Sequence, residues 1–146
     1  MGTDDRMAAM QAEEVNMHTQ MKDLTVELGA DRPGALGRAF EAIAKANINV
    51  EGYAEVSGTF HVLTKDTAAT RRALEAGKFR VSREDEVVVV DLADKPGVAS
   101  SLFQHLGDAG VNIAFSYVAA GTRAVIGAAD VAKATEVIAR ETTAVR

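Results

Sequence analysis

The pattern ADRPGALGRAF begins at Ala30 and returns as ADKPGVASSLF at Ala93, so one stretch occurs twice, 63 residues apart. Sliding the chain by that offset also pairs Phe40 with Phe103, Ala46 with Ala109 and Asn49 with Asn112, without a gap. Where residues differ, character is kept, as in Arg32/Lys95, Ile43/Leu106, Ile48/Val111 and Val50/Ile113. Two copies of one pattern build two copies of one supersecondary unit, and that constrains the fold more than any other feature. The copies span residues 21–85 and 86–146, behind a leader of residues 1–20.

Each copy reads as the same series of elements. Leu24, Val26 and Leu28 alternate with Thr25 and Glu27, the period of a half-buried strand, and the β-branched run at 87–90 is its counterpart. A helix follows, with Leu36, Phe40 and Ile43 on one stripe and Ala99, Phe103 and Leu106 on the matching one. Its entry is read at the proline, whose missing N–H costs nothing in a first turn. Its end is read near Asn47 or Gly110, residues that tolerate a left-handed closing conformation. A hairpin comes next, turning at Ser57-Gly58 in one copy and at Ala119-Ala120-Gly121 in the other. Asp66 and Asp130 then cap second helices, and final strands are expected at 79–82 and 142–145. The order is βαββαβ, twice: an α+β chain of two ferredoxin-like units, antiparallel sheets with helices on one face. A unit of about 60 residues buries only ~60% of its unfolded surface, so the two are expected to pack as a tandem.

All five methionines (Met1, Met7, Met10, Met17, Met21) fall in the first 21 residues. The leader is therefore expected to be disordered or non-native, with MKDLTVEL running from Met21 into the first strand. A net charge of −5 argues against a nucleic-acid partner, and no apolar run reaches the ~18 residues of a membrane span. There is no cysteine, hence neither a disulfide nor a thiolate metal site, and no secretory signal. These features place the chain in the cytoplasm.

The two copies resemble ACT domains, small regulatory modules that bind amino acids in metabolic enzymes. The resemblance covers the chain from about Met21 onward. It rests on a strand, a D-x-P-G turn, a helix and an Asn at the start of strand two: Asp31-Arg32-Pro33-Gly34 with Asn49, and Asp94-Lys95-Pro96-Gly97 with Asn112. It implies a stand-alone regulatory protein, a homodimer or higher, with an amino acid or related carboxylate held where units meet and a metabolic enzyme as partner.

Physical chemistry points to the same turn. First-turn N–H groups lack partners inside the helix, and with the helix dipole they suit a carboxylate. The candidate donors are the N–H groups of Gly34, Ala35 and Leu36, or of Gly97, Val98 and Ala99. Asn49 or Asn112 offers an oxygen to the ligand's ammonium group, with Asp31 or Asp94 as a charged assistant. The same residues also make a good helix entry and a good turn, so a ligand-free interaction or oligomerisation module is the competing reading. The copies differ in detail: Leu36 faces Ala99, and Glu51-Gly52-Tyr53 faces Ala114-Phe115-Ser116.

Catalysis finds little support. His18, His61 and His105 lack metal-ligand spacing, His61 is expected to be satisfied or surface-facing, and Ser100 and Ser101 lack a nucleophile elbow. RNA-recognition domains share this element order but carry stacking aromatics and glycine in a basic motif on strand three, where this chain has TFHVLT and TRAVIG. The expectation is a protein with no catalytic residues, no metal and no cofactor.

Overall fold

Both first helices lie where the repeat places them: α1 covers Ala35–Lys45 and α3 covers Val98–Asp108. The computed structural model describes residues 15–29 and 33–144. Before α1 runs strand β1 (Val15–Glu27), and after it come β2 (Gly52–Val56), β3 (Thr59–Leu63), α2 (Thr67–Ala76) and β4 (Arg80–Leu92). Beyond α3 lie β5 (Ile113–Ala119), β6 (Arg123–Ala128) and α4 (Val131–Ala144).

The chain divides into two compact units. The first-repeat unit is Met21–Glu86; the second-repeat unit combines Val87 onward with the segment that ends at Gln20. In the first, β1 pairs antiparallel with β3 and β3 with β2, in register Val26↔Phe60 and Ala54↔His61. Leu24, Val26, Phe60 and Val62 from these strands meet Ala35, Ala39, Ile43 and Leu74 from the helices in one buried cluster. In the second, β4 pairs with β6 and β6 with β5, in register Val89↔Val125 and Tyr117↔Val125. There Val88, Val90 and Ile126 pack against Leu102, Leu106, Ala134 and Ile138. Each unit is thus an antiparallel sheet with both helices on one face, the α+β arrangement expected from the element order.

The helix ends follow the residue types. Asn47 (φ 59°) and Gly110 (φ 78°) take the left-handed conformation. Ile48 N–H donates to Ile43 O (3.3 Å) and Asn47 N–H to Ala44 O (2.9 Å); Val111 to Leu106 (2.9 Å) and Gly110 to Gly107 (2.9 Å) repeat the pattern. These are Schellman closures, each with its apolar pair packed across the helix end. Helix α2 closes in the same way, but with Lys78 at φ 71° in the left-handed position. A residue with a Cβ pays roughly 1–2 kcal/mol for that conformation. Lys78→Gly is therefore expected to raise stability by about 1 kcal/mol, read as a melting-temperature rise of roughly 2–4 °C.

Three features differ from the expectation. The first strand begins at Val15, so residues 15–20 of the presumed leader are strand and belong to the second-repeat unit. Gln20 Nε2 there donates to Thr135 Oγ1 of α4 at 3.3 Å. Residues 1–14 lie outside the described part. Second, the final strand read at 79–82 is the start of a thirteen-residue strand, β4, that continues through Glu86 into the second repeat. Third, no strand forms at 142–144, because α4 runs to Ala144. The Thr-Thr pair suggests a strand, yet nothing before it acts as the Gly77-Lys78 stop does in the first repeat.

Side chains cross from strand to strand in the first-repeat unit. Glu84 on β4 meets Lys22 of β1 (3.4 Å) and Arg71 of α2 (3.3 Å). Slight desolvation raises its pKa, but the hydrogen bonds and charges of Arg71 and Lys22 outweigh this and hold it below the ordinary carboxylate value. In the second-repeat unit β5 carries a bulge between Ile113 and Phe115. Phe115 lies over Gly127 of β6, so close that a Cβ built on that glycine would overlap its ring. Glycine here is a close-approach residue, and the β5–β6 turn is Ala120-Gly121-Thr122, one residue later than read from sequence.

Candidate functional site

The repeated turn departs from a simple proline-led helix. Pro33 and Pro96 precede their helices, and Gly34 (φ 84°, ψ −2°) and Gly97 (φ 89°, ψ −14°) are the N-caps. Those angles belong to the third position of a type II turn, which proline at the second position favours. In the second repeat Val98 N–H closes the turn on Lys95 O at 3.4 Å. The first helical bonds are Arg38 N–H to Gly34 O (3.0 Å) and Ser101 N–H to Gly97 O (2.9 Å). In the second repeat the donors that helix geometry leaves over therefore move one residue along, to Ala99 and Ser100; in the first, the N-cap at Gly34 leaves those of Ala35, Leu36 and Gly37.

The N-cap of each first helix is a glycine, which brings no side-chain cap of its own. The contrast lies within each unit, because Asp66 accepts from Ala69 N–H (3.0 Å) and Asp130 from Lys133 N–H (3.0 Å) at the two second helices. Asp94 is exposed and no hydrogen bond between it and the first turn of α3 is seen; Asp31 lies outside the described residues. Gly34, Gly97 and Ala99 are exposed, Leu36 is half-buried, and Ala35 and Val98 are buried, so the last two bring backbone rather than side chain to the surface.

Asn49 and Asn112 both stand exposed just before β2 and β5. The Asn49 amide donates to Glu51 Oε2 at 3.0 Å, which places a carboxylate beside its carbonyl oxygen. An ammonium group would meet the Asn49 oxygen and this carboxylate there, where the sequence pointed to Asp31 as the charged partner. Arg38 was not foreseen. Its Nη1 folds back to Pro33 O (3.4 Å) and sits 3.2 Å from where a Cβ on Gly34 would be. A guanidinium thus lies over the first-repeat helix start, and the second repeat has Ser101 at that place. The signal was available: four residues past the N-cap is one helical turn.

The groups weighed for catalysis are held by local bonds. Ser100 Oγ accepts from Gln104 Nε2 (2.9 Å), and His105 Nδ1 donates to Ser101 O (2.7 Å). His61 on β3 is satisfied, as read: its Nδ1 donates to Asp23 Oδ2 at 2.8 Å. Asp23 itself is fully buried in β1, which its place in MKDLTVEL did not suggest. His61→Ala removes a donor from a buried carboxylate and is expected to cost about 1.5–3 kcal/mol, measured from the urea midpoint. A groove of about 460 Å³ opens in the first-repeat unit between α1 and α2, with Arg38 on its rim. Among the described residues, no helix is long and apolar enough to cross a membrane.

No family model and no curated protein matches the chain. Solved structures do. A protein from Bacteroides thetaiotaomicron is 24% identical at a TM-score of 0.64, over 88% of this chain and 90% of that one. The regulatory subunit of aspartate kinase from Thermus flavus is 17% identical at 0.62, over 87% of this chain and 97% of that one. Aspartokinase III of E. coli, in complex with lysine and aspartate, is 18% identical at 0.59, over 90% of this chain and 33% of that one. At such identities the likeness establishes the fold, shared with regulatory parts of aspartate kinases.

Proposed function

We propose that this chain is a non-catalytic, cytoplasmic sensor of a free amino acid or a related small carboxylate, acting in trans on a metabolic enzyme or through its own assembly into a homo-oligomer. The observation that carries the reading is the pair of glycine-capped helix starts. Each unit caps its second helix with aspartate, whereas the N-cap of its first helix is a glycine that brings no side-chain acceptor. An uncapped first turn presents N–H donors and the positive end of the dipole to a carboxylate. Arg38 adds a cation at the first, and Asn49 with Glu51 supplies acceptors for an ammonium group. Further support comes from the fold shared with an aspartate kinase regulatory subunit and with an aspartokinase solved with lysine and aspartate. Binding would shift the chain's arrangement by its differential affinity for the two states.

The competing reading, an interaction module without a ligand, is favoured by Val56 and Val118, exposed at 71% and 72% on β2 and β5. A thermal-shift screen against the twenty amino acids and common small acids separates the two. A ligand at 100 times its dissociation constant adds about 2.7 kcal/mol, roughly 5–10 °C for a chain of this size. One such shift is the expected result; no shift with any of them would leave the interaction module.

A further inference from the structure

We draw no further inference here: the strongest candidate, the groove between α1 and α2 of the first-repeat unit, floored by Ala42, Ala73 and Phe79 and rimmed by Arg38, Glu41 and Lys45, is a depression over small residues, and nothing in the structure shows what covers it.

Discussion

A chain that begins at Met21 is expected to keep the first-repeat unit intact and to leave the second much less stable. Residues 15–20 form the opening part of β1 and belong to the unit that starts again at Val87. The first repeat is in effect inserted between that segment and the rest of the second-repeat unit. Removing that segment takes away a strand's backbone hydrogen bonds, each worth about 1 kcal/mol, and the Gln20 to Thr135 tie. Set against the ~5–15 kcal/mol that a domain has in total, the loss is on the order of half its stability. The first-repeat unit, with its own buried cluster around Phe60 and Ile43, keeps all its described elements from Met21 to Glu86. Amide hydrogen exchange reads each unit separately. Protection in β2 and β3 is expected to persist, while that in β5 and β6 falls by two to three orders of magnitude, the fold-change that several kcal/mol implies. Equal protection in both would mean that residues 15–20 are dispensable to the second-repeat unit.

That strand was passed over although VNMHTQ alternates, with Val15, Met17 and Thr19 against Asn16, His18 and Gln20, because the alternation changes phase before Leu24 and Val26. Alternation marks a strand but not the unit it joins, and the methionine-rich composition of the segment pointed to a leader instead. The reverse error came at 142–144, where β-branched threonines suggested a strand but helix propagation had no Gly, Asn or Pro to stop it. By contrast, features decided by a single residue's backbone preference were legible. Asn47 and Gly110 end their helices, Ser57-Gly58 turns its hairpin with both φ angles positive, and Asp66 and Asp130 cap as their positions predicted. At the candidate site Gly34 and Gly97 were read as backbone donors to a ligand, whereas their φ angles of 84° and 89° make them obligatory to the turn itself. The Arg38 and Glu51 contacts depend on side-chain directions that spacing alone does not specify.

This changes which variants can test the site. Gly34→Val or Gly97→Val forces a β-branched residue into the left-handed region, at roughly 1–2 kcal/mol or more, so lost binding could reflect a distorted turn. Proline inside the first helical turn is cleaner. At N2 or N3 its ring meets no helical carbonyl and removes one N–H that has no intrahelical partner, at a modest cost to the preceding residue. Gly37→Pro in α1 and Ala99→Pro in α3 both lie on exposed positions of that turn. Once a ligand is found by thermal shift, the variant in the binding repeat is expected to weaken it by about 10- to 150-fold in calorimetry. That is the loss of one hydrogen bond to a charged group, about 1.5–3 kcal/mol. Asp66→Ala and Asp130→Ala provide the converse, each lowering stability by about 1 kcal/mol through a lost cap and leaving affinity unchanged. A fall in affinity with Gly37→Pro alone would assign the ligand to the first repeat and its Arg38, and with Ala99→Pro alone to the second. Full affinity in both proline variants would mean that the uncapped helix starts are not what holds the ligand, whatever the screen has found.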